Sequence, residues 1–488
     1  MSQTVYNHPK DLKAFATLQG VSLYQTPITS TAGEPVATDA FLCPDIKIDD
    51  EPPQLLYDDM IGKTGRAKGV LGMRTPGWEI PATSLRPSGT AGTAPDMEFL
   101  FRTGLWENTV YGLGTATTIA DTSTTTVLKV TSGANLTAYE DVITVANANG
   151  ELEFALVTEV DETATPDEVT VTPPLSFAAA SNAAVGKTIT YRQADDCEEP
   201  AFDLTRVDTH EVRKASGCFA DSMKWAWGSG EPPKIEASGP ARSIWKCGTT
   251  TVGSAYTAGG TSLTVDDHKM FDVQPDDSGS ICINIAAEGA NAAENVRVTN
   301  RNASTGVLTV EDFNTTTLDE SHAEDAVVTP YAPAPTYTGE EIPAKTNKVR
   351  VGITTTASEV LISESGSCSW SGGVAARVRG HGDAWTGDGF NLSRDAEVTF
   401  EAAAWSKTNT AAWAMRAIDM EERPVCINLG DEGGKCCAAI FPRTIFQPFG
   451  DGSSGGAEDF IAGTLSGKAT ATQGTQAATA AQSYVAFG

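Results

Sequence analysis

The sequence predicts a mainly β chain built from repeated modules, and three observations predict it. A Trp-bearing stretch occurs twice, as Phe219 to Ser222 with Trp227 and Gly228–Gly230, and as Ile362 to Ser365 with Trp370 and Ser371–Gly373, at an offset of 143 residues. A run of five short Thr/Val-rich strands also occurs twice, at an offset of 135 to 140 residues. Helix signals are limited to two short segments. A duplicated β-module points to a structural part more than to a single catalytic centre.

The first Trp stretch shows why a strand is expected. Phe219, Met223, Trp225 and Trp227 share one parity, as a half-buried strand requires. Its Gly-rich exit reads as a hairpin turn. The strand run reads as 127–130, 142–145, 154–160, 169–171 and 188–191 in its first copy. The second copy is 262–265, 281–285, 296–298, 307–310 and 327–329. Because both repeats share nearly the same offset and order, they predict one duplication rather than two coincidences.

The remaining elements follow in chain order. Residues 1–40 are polar and Thr-rich and read as an extended arm. Residues 47–75 form a long stretch of low regularity, and a loop of that length inside a domain is usually functional. Trp78, Ile80 and Ala82 have strand parity. Pro95 and Asp96 open a short helix to Leu105, since Pro suits a first turn and an early carboxylate suits the positive helix start. Leu204 to Arg213 alternates in part. Further strands are expected at 348–351, 396–405, 425–429, 437–441, 460–465 and 484–487, with a second helix near 410–421 that ends before Pro424. The halves are then 1–246 and 247–488. Within them, 114–194 and 247–333 read as small accessory β-domains, expected to project outward and to be dispensable for assembly.

Charge and composition exclude several function classes. With 63 acidic against 34 basic residues the net charge is -29, which opposes a protein that grips nucleic acid or an anionic membrane. No apolar run is long enough for a membrane-spanning helix, and the N-terminus lacks the pattern of a secretory signal. The nine cysteines are scattered without C-x-x-C spacing and read as reduced, small hydrophobes. No cofactor or metal is expected. Gly430 to Cys436 imitates a phosphate loop, but it is one residue short between its glycines and has Cys where a metal-binding hydroxyl belongs. The five histidines have no ligand spacing. Acidic pairs such as Asp195–Asp196, Asp276–Asp277 and Glu421–Glu422 read as solvated surface, so no catalytic residue is expected.

One candidate site remains, in the long loop Lys47–Gly72. Its acidic half holds Asp49, Asp50, Glu51, Asp58 and Asp59, and its basic half holds Lys63, Arg66 and Lys68. That order suits contact between subunits, basic half to acidic half, with Val70 and Leu71 buried against the partner.

The order of elements resembles the tail tube (major tail) proteins of long non-contractile tailed phages. The features that carry the resemblance are the polar arm, the long loop, Thr75-Pro-Gly-Trp78 leading to Leu85–Pro95 and the short helix, the strand pair from Ala215 to Gly239, and the closing Ser483–Phe487. It covers most of 40–113, 195–246 and 334–488. The resemblance implies tandem tail-tube β-sandwich or barrel modules with short helices, the first made of 1–113 and 195–246 and the second of 334–488. It also implies stacked rings, trimeric with pseudo-sixfold symmetry, around an acidic lumen through which DNA passes without specific binding. The implied partners are the chain itself and the tape-measure, tail terminator and tail-tip proteins, and the implied place is the virion tail, assembled in the bacterial cytoplasm. Two other classes fit the same composition, a β-rich virion decoration protein and a carboxylate-based hydrolase.

Overall fold

The computed structural model describes residues 13–22, 35–49, 54–55, 60–61, 65–66, 70–71, 76–105, 111–112, 117–186, 188–193, 200–208, 210–228, 230–273, 280–287, 291–302, 304–312, 319–343, 347–354, 356–361, 365–372, 374–378, 386–391, 395–406, 418–447, 460–470 and 481–488. The described residues are predominantly β-strand with little helix, so the protein is mainly β. Among the described residues all strand pairings are antiparallel.

The largest sheet has fourteen strands. Its middle runs Cys437–Phe446, Phe460–Ala469, Asp395–Ser406, Ser365–Ser371, Ser222–Gly228, Glu231–Pro240, Gly77–Ser84, Lys47–Asp49. The last four of these repeat the pairing order of the first four. The strands behind them repeat as well. In the first half the order is Ala40–Phe41, Lys13–Ser22, Pro200–Val207, Glu211–Cys218, Ser243–Gly248. In the second half it is Ser358–Leu361, Lys348–Gly352, Glu422–Leu429, Cys437–Phe446, Tyr484–Phe487. Cys437–Phe446 serves both layers of its half as one strand. The first half breaks the corresponding run into Glu211–Cys218 and Ser222–Gly228, and Gly217 takes a φ of 64° just before that break, a conformation that favours glycine.

Strand alternation explains the core. Met223, Trp225 and Trp227 point inward together with Ile235, Ile80, Trp78 and Ile48, while Ser222 and Lys224 point outward. The helix Glu98–Gly104 lies in the same core and buries Phe99, Leu100 and Phe101. Phe101 meets Trp225 edge-on at 5.8 Å, and Phe99 meets Phe202 at 4.9 Å. Such aromatic pairs contribute about 0.5–1.5 kcal/mol each beyond their buried area.

Two further sheets have six strands each, with identical strand order. The first is Thr117–Thr118, Ala184–Gly186, Val142–Ala146, Leu152–Asp161, Asp167–Thr172, Val127–Val130. The second is Thr250–Thr251, Val327–Pro330, Ile281–Ile285, Glu294–Arg301, Val307–Asp312, Ser262–Thr264. Each has a register shift at the matching place, between Val157 and Glu159 and between Val298 and Asn300. Each also shares a core with one half of the body. Val142, Phe154 and Leu156 of the first pack with Cys426, Ala438, Ile440 and Tyr484. Ile281, Ile283 and Val328 of the second belong to one cluster with Phe15, Val212 and Trp245. The first insert leaves the chain in the first half, yet it packs on the second half.

Several expectations are corrected by these pairings. The strand matching Val327–Pro330 is Ala184–Gly186. Ile189–Arg192 joins the large sheet instead, between Tyr484–Phe487 and Tyr111–Gly112. Alternation alone could not separate them, because the segments are only three and four residues long. The N-terminal region is more than an arm, since Lys13–Ser22 pairs with Pro200–Val207. Leu204 to Arg213 spans two strands of a hairpin. The first helix is Glu98–Gly104, shorter than expected. Most of the second expected helix lies outside the described residues. The two Trp stretches also are not equivalent copies: Ser222–Gly228 pairs directly with Ser365–Ser371, with Met223 opposite Trp370. By pairing order, the counterpart of Ser365–Ser371 in the first half is Lys47–Asp49.

Candidate assembly interface

The joint between Ser222–Gly228 and Ser365–Ser371 is where the two halves meet in one sheet. Trp225 and Trp370 lie edge-on at 5.6 Å across it. The Trp370 indole N–H donates to the Ser483 hydroxyl at 3.0 Å, so its polar atom is satisfied in the core. Trp227 lies over Gly366, where a Cβ would collide with the indole ring, so glycine is required there. On the opposite face the joint presents serines. Ser371, Ser369, Ser367 and Ser365 stand opposite Ser222, Lys224, Ala226 and Gly228.

That opposite face continues across neighbouring strands as rows of polar side chains. One row runs Lys47, Glu79, Ser238, Ser222, Ser371, Asp395. The next runs Glu236, Lys224, Ser369, Glu397, Lys468. Each lysine on these strands meets a glutamate. Lys47 is 2.9 Å from Glu79, Lys224 is 3.3 Å from Glu236, Lys468 is 2.8 Å from Glu397, and Lys234 is 2.8 Å from Glu231. Hydrogen bonding to Glu397 pushes the Lys468 ammonium above its ordinary pKa, and hydrogen bonding to Lys234 pulls the Glu231 carboxyl below its own. Asp395 and Glu401 add acidic charge to the same surface. Exposed pairs of this kind contribute little stability. Their effect is to leave a polar, anionic surface with no unmatched cation among these strands.

The loop Lys47–Gly72 folds back on itself. Gln54–Leu55 pairs with Val70–Leu71, and Met60–Ile61 pairs with Gly65–Arg66. Asp49 is exposed at the end of the large sheet. Arg66, Val70 and Leu71 are described in their backbone alone, and Asp50, Glu51, Asp58, Asp59, Lys63 and Lys68 lie outside the described residues. A second hairpin, Val374–Val378 with Thr386–Asn391, lies between Ser365–Ser371 and Asp395–Ser406, as the first lies between Lys47–Asp49 and Gly77–Ser84. Sequence reading missed it, because its Gly-rich composition hides any alternation.

All eight described cysteines are free and seven are buried. Adjacent Cys436 and Cys437 point to opposite sides of their strand, into separate cores. Burial pushes the Cys436 and Cys247 thiols up to about 12. Among the described residues no cluster of three or more His, Cys, Asp or Glu could hold a metal. No described helix is long and apolar enough to cross a membrane. A cleft of about 640 Å³ opens beside the second insert, lined by His210, Glu211, Lys246, Lys269, Asp272 and Arg301 among others, with charges of both signs.

No family model matches the chain, and no curated protein matches it.

Proposed function

We propose that this chain is a structural virion protein, a phage tail tube subunit whose copies close into rings that stack around a DNA passage. The observation that carries the reading is the repeated strand order. Two four-stranded units, each backed by a matching second layer, stand side by side in one sheet and meet edge to edge at Ser222–Gly228 and Ser365–Ser371. A chain that already joins two like units in this way is suited to extend the series with further copies, and a closed ring leaves no sheet edge exposed. Two units per chain favour three chains per ring, with pseudo-sixfold symmetry. In this reading the inner wall is the face bearing Lys224, Glu236, Ser369 and Glu397, where matched cations keep phosphates from sticking. The hairpin arms at 54–71 and 374–391 make contacts between rings, and the inserts face outward. Partners would be the tape-measure, terminator and tail-tip proteins, in the virion tail.

Electron microscopy of the purified full-length protein tests this. Rings or tubes with a central hole and threefold symmetry are expected. Monomers or solid particles at every concentration would point instead to a decoration protein.

A further inference from the structure

The turn at 147–151 of the first insert holds two asparagines in opposite states. It joins Val142–Ala146 to Leu152–Asp161, whose closing pair is Ala146 with Leu152. The Asn147 side chain is fully engaged. Its Oδ1 accepts the N–H groups of Asn149 and Glu151 at 2.8 and 3.0 Å, and its Nδ2 donates to the Glu151 carboxylate at 2.7 Å. Asn149 is exposed, and its carboxamide makes no hydrogen bond among the described residues. The residue after it is Gly150, which makes this the one Asn–Gly step in the sequence. Gly150 takes a φ of 85°, and a Cβ added there would meet nothing within 4 Å.

We propose that Asn149 is a modification site, converted without an enzyme to aspartate and isoaspartate, and that the conversion loosens the first insert from the second half. The only co-reactant is water. The Gly150 amide nitrogen gives its proton to solvent and attacks the Asn149 Cγ, and the new C–N bond closes a cyclic imide. The carboxamide nitrogen takes up a proton and leaves as ammonia. Water then opens the ring. Attack at the side-chain carbonyl breaks the new bond and gives aspartate. Attack at the main-chain carbonyl breaks the old peptide bond and gives isoaspartate, with one more carbon in the main chain. Glycine suits the attack because no side chain shields its nitrogen. The Gly150 N–H donates to the Asn147 carbonyl at 3.0 Å, so the turn opens before it reacts, and exposed turns lie at the low-stability end of a fold.

The turn sits next to the contacts that dock this insert. The Leu152 N–H donates to the Asp431 carbonyl at 3.1 Å, and the Leu152 carbonyl accepts from the Asn428 carboxamide at 3.0 Å. The Phe154 N–H donates to the same carboxamide at 3.1 Å. Isoaspartate lengthens the chain just ahead of these bonds, and strand register in a hairpin is fixed by its loop. Either product also adds a negative charge close to Glu151. Burial and the charges of Glu151 and Glu432 already push the Asp431 carboxyl up there.

The test is ageing of the full chain at mildly alkaline pH, followed by peptide mapping and calorimetry. Asn149 should convert ahead of Asn147, Asn182, Asn291 and Asn302, each of which is followed by alanine. The aged chain should unfold at a lower temperature than the fresh one. Asn149→Gln, aged alongside, should keep its transition. An Asn149 that stays intact while a urea-unfolded chain converts overturns the site. Conversion with an unshifted transition, or an equal shift in the Asn149→Gln chain, overturns the loosening.

Discussion

Glu153 and Glu294 hold the same place in the two insert sheets, and each carboxylate accepts a backbone N–H from a distant loop. The Ser176 N–H donates to Glu153 at 3.0 Å and the Asp319 N–H donates to Glu294 at 2.7 Å. Their remaining partners differ. Glu294 takes His322 of its own insert at 3.1 Å. Glu153 reaches into the second half of the body, with Lys348 at 2.7 Å and the fully buried Arg350 at 3.4 Å.

That difference predicts unequal costs. Glu153→Gln leaves the Arg350 guanidinium buried without its counter-charge, which typically costs about 3–5 kcal/mol. Glu294→Gln keeps an acceptor for the Asp319 N–H and should cost about 1–2 kcal/mol. Urea unfolding of both variants measures the gap. Equal losses would show that the Arg350 contact adds nothing.

Acid should act through the same residue. Burial raises the Glu153 pKa, but Arg350, Lys348 and Ser176 outweigh it and hold the carboxyl below its ordinary 4.5. Its folded pKa is depressed, so its contribution is complete above about 4.5 and is lost as the pH falls through the folded value. The stability difference between the parent and Glu153→Gln should therefore shrink as pH drops below 4.5. A constant difference across that window contradicts the assignment.

Removing the first insert should harm the second half. Tyr111–Gly112 and Ile189–Arg192 already pair, so a turn of roughly two to five residues can replace 113–188. The deletion uncovers Cys426, Ala438, Ile440 and Tyr484. Calorimetry should show a lowered transition and dye binding should show exposed apolar surface. An unchanged transition restores the expectation of a dispensable outward domain.

Charge reversal in the first arm separates folding from assembly. Lys63, Arg66 and Lys68 changed together to Glu should leave circular dichroism intact. Tube counts by microscopy should fall most at low salt, where screening is weakest. Unaltered tubes at low salt would remove the arm from the contact.

The matched lysines give a prediction about DNA. Glu79→Gln, Glu236→Gln and Glu397→Gln together free Lys47, Lys224 and Lys468 while keeping shape. Assembled material should then retain duplex DNA in a mobility assay at low salt and release it as salt rises. Retention by the parent protein to the same degree would argue against this face as the passage.

Much of this architecture was legible in the sequence. Parity identified Met223, Trp225 and Trp227 as core, and four of the five strands expected in the first run and all five in the second lie in the two six-stranded sheets. Pairing partners were beyond reach, because alternation says which face a residue occupies but not which strand lies beside it. Hence the two Trp stretches read as copies, although they are neighbours across a joint. The lysine–glutamate matching was hidden for the same reason. Lys224 and Glu236 lie twelve residues apart in the chain and meet only through the hairpin register. The role of Glu153 had no local signal, since Arg350 comes from the other half.

The crossing of the first insert bears on how the molecule carries load. The chain leaves the first half after Gly104, supplies Tyr111–Gly112 and Ile189–Arg192 to the second half, and returns at Pro200. The halves are thus clasped twice, by this strap and by the strand joint, independently of the covalent link through 250–347. A cut in that link would leave one particle, and the two fragments made separately should find each other and reunite. Force between the halves need not pass through any single peptide segment, so a chain nicked there by protease would keep its halves together.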